Sequence, residues 1–209
     1  CRIYGKGFPV VLLHGFGEDG SVWEEQSAIL SAEYLVIVPD LPGSGSSDAL
    51  DGEPCMEDFA GHLYQMLKLE NIGSCIMIGH SMGGYITLAF AEQFPELLHA
   101  YGLFHSSAYA DQPEKVIQRE KAIEFIEKNG ALSFLKTSIP GLFMDQVESE
   151  FKINRLLKKG AKFTPGALKQ YYHAMIQRPD RTEILQSSKI PVLFVLGQHD
   201  KAVPFSQGL

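Results

Sequence analysis

Short apolar runs alternate with amphipathic segments along most of the chain. The runs are rich in β-branched side chains and are bounded by Gly, Pro or Asp. Near-continuous apolarity without alternation is typical of strands that are covered on both faces, as in a parallel sheet. We therefore predict strands at residues 10–13, 35–38, 75–78, 101–104 and 192–196.

Apolar residues at helical spacing occupy the segments between these strands. Ser21 followed by Glu24 predicts the start of a helix that ends near Leu30. Residues 56–67 present a second apolar helical face. A third helix is predicted at residues 82–94, where a following proline ends it.

The pattern changes between residues 109 and 185, where helical patterns follow one another with no convincing strand. Their ranges are 114–128, 131–138, 146–158 and 165–177. A helical insertion between two strands predicts a cap over one end of the sheet. We therefore assign residues 1–108 and 186–209 to an α/β core with a mostly parallel, doubly wound sheet, and residues 109–185 to a helical cap.

Composition narrows the class of protein further. The chain has 209 residues, 45% of them hydrophobic, and a formal net charge of −7. This is typical of a globular protein and gives no basic surface for a nucleic-acid partner. No apolar run of about 18 residues would span a membrane. The 3 cysteines have no ligand-like spacing, which favours a reducing, cytoplasmic compartment and gives no indication of a metal site.

The strongest chemical signal is Gly79-His80-Ser81-Met82-Gly83, between a predicted strand and a predicted helix. A serine at such a turn has strained backbone geometry, and the two glycines remove the clashes that side chains would cause there. The following helix directs free N–H groups at developing negative charge. The motif predicts that Ser81 is a nucleophile; a bystander serine in a glycine-rich turn is the alternative.

Four landmarks in order resemble the α/β-hydrolase superfamily, in its branch of capped esterases, lactonases and C–C bond hydrolases. They are His14-Gly15-Phe16-Gly17, Asp40-Leu41-Pro42-Gly43-Ser44-Gly45, the serine motif, and Gly197-Gln198-His199-Asp200. The resemblance covers nearly the whole chain and implies a serine hydrolase that needs neither a cofactor nor a metal ion.

The resemblance also implies a role for individual residues. Ser81 would attack the substrate, and the backbone N–H groups of Phe16 and Met82 would form the oxyanion hole. Asp200, after the last predicted strand, would orient a histidine. Asp111, after the preceding strand, is the alternative acid.

Three other polar residues of these landmarks are expected to be structural. The imidazole of His14 would brace its loop, and His80 would point away from the cleft. Asp40 would support the turn that contains Gly43 and Gly45, rather than act as a catalytic acid.

The histidine of the triad presents a difficulty. In this fold the chain order is Ser, Asp, His, yet residues 201–209 contain no histidine. We therefore expect the catalytic histidine after Leu209, together with a last strand and helix, and we expect the 209 residues alone to be inactive. Among the histidines of the 209 residues, His105 is the best alternative to that catalytic histidine. Without an outer neighbour, strand 192–196 would expose an apolar edge through which the protein could self-associate.

The substrate predicted from these residues is a small, apolar ester. Its pocket would be lined by Phe16, Met82 and Val203, and by Phe134 and Phe143 from the cap, although the last two could equally belong to the core of the cap. Two alternatives remain open: a C–C bond hydrolase or lyase that uses the same serine, and a non-catalytic, hydrolase-like binding protein.

Overall fold

The computed structural model describes residues 1–200 and 202–208, and a single sheet of six strands forms the centre of this part. The strands are β1 (Arg2–Tyr4), β2 (Phe8–Leu13), β3 (Tyr34–Val38), β4 (Cys75–His80), β5 (Leu98–Phe104) and β6 (Val192–Val195). Their order across the sheet is β1-β3-β2-β4-β5-β6. Only β1 is antiparallel to its neighbour; the other described pairs are parallel.

Helices pack on both faces of the sheet and form the segment between β5 and β6. They are α1 (Glu24–Leu30), α2 (Met56–Leu69), α3 (Met82–Gln93), α4 (Pro113–Asn129), α5 (Ala131–Ser138), α6 (Glu150–Gly160), α7 (Pro165–Gln177) and α8 (Thr182–Gln186). Among the described residues, no helix is long and apolar enough to cross a bilayer.

Alternate side chains of β2 enter two separate hydrophobic clusters, because successive residues of a strand point to opposite faces. Val10 and Leu12 pack with Trp23 on one face, whereas Val11 and Leu13 join the larger cluster on the other. Each fully buried aliphatic side chain contributes about 1.5–3 kcal/mol. Burial on both faces explains why these strands have no polar alternation.

The predicted fold class is confirmed, and the predicted strands and helices are present with small shifts at their ends. One predicted helix start is wrong. Residues from Gly20 to Trp23 form a 3₁₀ turn that is capped by Asp19, whose side chain accepts from the Ser21 N–H, and α1 begins only at Glu24. The capping oxygen therefore comes from Asp19 rather than from Ser21.

The end of the helical segment between β5 and β6 contacts α2, α3 and the loop after β5 through Arg181. Its guanidinium donates to Glu92 at 2.9 Å and to Glu57, which lie on α3 and α2. Its backbone N–H donates to the Ala108 carbonyl at 2.8 Å. The chain thus returns to helices α2 and α3 before α8, so that the contacts of Arg181 hold the end of the segment that contains α4–α7.

Candidate active site

Ser81 lies in a sharp turn between β4 and α3, with φ 51° and ψ −116°. This is a backbone conformation that only glycine adopts freely. A Cβ on Gly79 would lie 2.1 Å from the Gly83 carbonyl oxygen, and one on Gly83 would lie 2.7 Å from that of Leu13. Both positions therefore require glycine, because a side chain at either one would clash with a backbone carbonyl.

A second serine holds this turn in place. Ser106 donates its hydroxyl hydrogen to the Ser81 carbonyl at 2.7 Å, while the Ser81 N–H donates to the Phe104 carbonyl at 2.9 Å. A Cβ on Gly84 would lie 2.3 Å from the Ser106 oxygen. Sequence reasoning missed Ser106, because nothing in the local pattern relates it to the turn.

The loop of residues 14–17, which we call the 14–17 loop, lies directly against Ser81. A Cβ on Gly15 would be 3.2 Å from the Ser81 Cβ. Within the described residues, neither the Phe16 N–H nor the Met82 N–H has a hydrogen-bond acceptor. Two unpaired donors on adjoining segments are what an oxyanion hole requires.

Two buried side chains brace the loops around the site. His14 Nδ1 lies 2.8 Å from the Gly15 carbonyl, and its Nε2 accepts from the Leu41 N–H at 3.0 Å. Burial lowers the pKa of His14, which keeps the ring neutral. Asp40 accepts from the Gly20 N–H at 3.0 Å and from Arg2 at 2.8 Å.

His80 does not point away from the cleft, as the sequence suggested. It lines the cavity beside Ser81, and its Nδ1 donates to Glu18 at 2.9 Å. The same carboxylate oxygen of Glu18 accepts the Gly15 N–H at 2.7 Å. Glu18 thus links the 14–17 loop to β4, and it raises the pKa of His80 despite the opposing effect of burial.

Replacing Glu18 with glutamine should lower the pKa of His80, because burial would remain while the carboxylate was lost. A histidine pKa that is raised on folding stabilises the protein fully below about pH 6.5, and this contribution disappears as pH rises through the folded-state pKa. NMR titration of the His80 ring measures the shift. The exposed Glu25→Gln is the matched control. An unchanged His80 titration in Glu18→Gln would contradict the ion pair.

Asp200 and His105 come together at the ends of β6 and β5. The Asp200 Oδ2 lies 3.1 Å from His105 Nδ1, and Oδ1 accepts the backbone N–H groups of Ala202 and Val203 at 2.8 and 2.9 Å. His105 has φ 48°, again uncommon for a residue with a side chain. Asp200 and His105 line the same cavity as Ser81, although no hydrogen bond joins His105 to Ser81 among the described residues.

Asp111, the alternative acid, is held by two cations. Its carboxylate accepts from Arg119 at 2.5 Å and from Arg178 at 2.9 Å, and all three side chains are at least 90% buried. These guanidinium partners hold the pKa of Asp111 below its ordinary value, although burial opposes them. Asp111 therefore has a structural role and has no histidine partner among the described residues.

A cavity of about 420 Å³ opens over Ser81. Phe143 and Val203 are on its wall, together with Phe16, whereas Phe134 is not among the lining residues. Met82 is completely buried, so that it could meet a ligand only through its backbone. Within the described residues, no group of three or more His, Cys, Asp or Glu side chains is arranged to hold a metal ion.

An aromatic cluster connects the 14–17 loop to helices α5 and α7. The rings of Phe16 and Tyr172 are stacked with centroids 4.3 Å apart, and Phe134 packs edge-on against both, with its centroid 6.2 Å from Phe16 and 5.8 Å from Tyr172. Phe134 therefore packs against two residues of the cavity wall without lining the cavity itself.

Residues 9–118 match the family that is described as the alpha/beta hydrolase fold. The (E)-2-((N-methylformamido)methylene)succinate hydrolase of Acinetobacter baylyi is 33% identical over 57% of this chain and 46% of its own length. The magnesium-chelatase 30 kDa subunit of Rhodobacter capsulatus is 30% identical over 93% of this chain and 72% of its own.

Among solved structures, a thermophilic esterase from Thermogutta terrifontis is similar with a TM-score of 0.91 and 31% identity. The match covers 99% of this chain and 77% of the esterase. The alignments to several curated relatives cover only 28 to 46% of those proteins' lengths.

Proposed function

Because the chain belongs to the α/β-hydrolase family, we propose that it hydrolyses a carboxylic ester through an acyl-enzyme on Ser81. The observation that carries the proposal is the place of Ser81: a strained turn at the cavity, next to the Phe16 and Met82 N–H groups, which have no acceptor among the described residues. The similarity to an esterase and to a hydrolase of a substituted succinate supports it.

The reaction would proceed in two steps. A histidine takes the Ser81 hydroxyl proton while Oγ attacks the acyl carbon, and the negative charge that forms on the carbonyl oxygen is met by the Phe16 and Met82 N–H groups. The C–O bond to the alcohol then breaks, and the histidine returns the proton to the leaving oxygen. Water, deprotonated by the same histidine, releases the acid and restores Ser81.

Asp200 would orient that histidine and stabilise its charged form. The resemblance assigns the base to a histidine that follows Asp200 in chain order, and we retain this assignment as part of the proposal. His105 would then position Asp200, since its hydrogen bond reaches Asp200 but not Ser81.

A panel of aryl esters from acetate to octanoate tests the activity. We expect the shorter esters to be preferred and Phe143→Ala to move the optimum toward longer chains, because Phe143 is on the cavity wall. Phe134→Ala is the matched control and should shift the optimum less, because that ring lies behind Phe16. Measurement of kcat/KM for each ester decides both points.

No turnover of any ester would reject the proposal. Cleavage of a vinylogous 1,5-diketone without ester turnover would favour the C–C bond hydrolase instead. Tight binding of esters without turnover would favour a binding protein.

A further inference from the structure

The carboxylates that line the Ser81 cavity or support its wall each have a neighbouring side chain as a hydrogen-bond partner. Glu18 is paired with His80, Asp200 with His105, and Asp111 with Arg119 and Arg178. Because a charge that lacks a partner in a partly buried site is unfavourable, a protein places a counter-charge near each one.

Lys115, in the first turn of α4, departs from this arrangement. Its side chain is partly buried and lines the Ser81 cavity, yet within the part of the chain that the structure describes no carboxylate lies within 4.0 Å of its Nζ. The neighbouring Glu114 is exposed and lines neither this cavity nor the smaller one beside it.

The surroundings of Lys115 carry excess positive charge. Arg119 and Arg178 share the carboxylate of Asp111, and Asp200 is the other carboxylate whose charge acts on Lys115. Arg178 also has its Nε buried with no hydrogen-bond partner among the described atoms. Burial and then the positive charge of Arg119 lower the pKa of Lys115, and the negative charges of Asp111 and Asp200 do not offset them.

Lys115 also stands where two cavities meet. It lines the Ser81 cavity and a neighbouring one of about 150 Å³, together with Tyr85 and Ala202; Arg178 lines the smaller one. Apolar side chains between β5 and β6, which include Ile139, Leu142 and Phe143, line another part of the Ser81 cavity. The cavity thus has an apolar stretch and a lysine that, among the described residues, has no carboxylate partner.

We infer that Lys115 binds a free carboxylate of the substrate, so that the preferred substrates are short esters that carry an acid group. This rests on the proposed esterase function and names its substrate class. A monoester of a short dicarboxylic acid has the required features: a scissile ester, a short aliphatic spacer and one negative charge. A charged hydrogen bond in such a site discriminates strongly between substrates with and without the acid group, because a substrate that lacks it leaves the charge of Lys115 unpaired.

The test compares monomethyl with dimethyl esters of succinic, glutaric and adipic acids. For the best spacer, the ratio of kcat/KM for the monoester to that for the diester should fall roughly 10- to 100-fold in Lys115→Met. Lys115→Arg should recover part of the ratio. Lys121→Met, which removes an exposed lysine of the same helix, should leave the ratio as in the wild type. Lys115→Gln repeats the test if Lys115→Met is poorly folded.

A ratio that is unchanged in both Lys115→Met and Lys115→Gln overturns the inference. If no ester is turned over, the proposed function fails, and calorimetric titration with glutarate then decides the inference by itself. Binding that is weakened at least tenfold by Lys115→Met supports a carboxylate site, whereas equal binding or none overturns it.

Discussion

Replacing Ser81 with alanine is expected to reduce ester turnover by roughly a million-fold, because this variant lacks the proposed attacking group. Covalent labelling by a fluorophosphonate should disappear as well. The measurement is labelling followed by peptide mass analysis, with kcat determined in parallel on the whole gene product. The exposed Ser133→Ala in α5 is the matched control and should label as the wild type does.

Stability measurements show whether a Ser81 variant loses turnover because the reaction is impaired or because the protein is unfolded. Ser81→Ala keeps a side chain in the strained conformation and should unfold at nearly the wild-type denaturant concentration. Ser81→Gly removes the strain at φ 51° and should raise the free energy of unfolding by about 1 kcal/mol. Labelling that persists in Ser81→Ala would contradict the assignment of the nucleophile.

Asp200→Asn should reduce kcat by about 10⁴-fold, since the histidine would lose the group that fixes its tautomer and stabilises its positive charge. The asparagine oxygen can still accept the Ala202 and Val203 N–H groups. We therefore expect the free energy of unfolding to fall by only about 1 kcal/mol. Steady-state kinetics and urea unfolding on the same samples test both statements.

Asp111→Asn is the matched control and should give the opposite result. It leaves Arg119 and Arg178 without a buried counter-charge, which should destabilise the protein by about 3 kcal/mol with a much smaller effect on kcat. The pKa of Asp111 is lowered on folding, so this stabilisation is present above about pH 4 and is lost as pH falls through the folded-state pKa. Near-normal kcat in Asp200→Asn with a large loss in Asp111→Asn would reverse the two roles.

His105→Gln identifies the base within the same experiment. If His105 only positions Asp200, kcat should fall about tenfold; if it is the base, the loss should approach that of Ser81→Ala.

Features with a local sequence signal were predictable. The strands of the core are marked by continuous apolar runs because both faces of the sheet are covered, and the serine turn is marked by Gly79 and Gly83 because each must avoid a nearby carbonyl. The resemblance to the α/β-hydrolase superfamily added the order of the other landmarks along the chain. These signals lie within a few residues of what they determine.

The electrostatic pairs of the site were not predictable in the same way. Glu18 and His80 are 62 positions apart, and His105 and Asp200 are 95 apart. Such partners are brought together only when parallel strands align their carboxyl ends. The orientation expected for His80 was wrong for this reason: it depends on Glu18, a distant residue in another loop.

The stack between Phe16 and Tyr172 limits how far this scaffold can be treated as modular. Phe16 belongs to the loop beside Ser81, whereas Tyr172 belongs to α7, so a chimera that receives the helical segment between β5 and β6 from a relative also changes the support of that loop. Recombination within this segment would alter turnover on every substrate, not specificity alone. A graft of the segment should therefore work best when positions 16 and 172 are transferred as a pair, and their joint exchange is the first design to make.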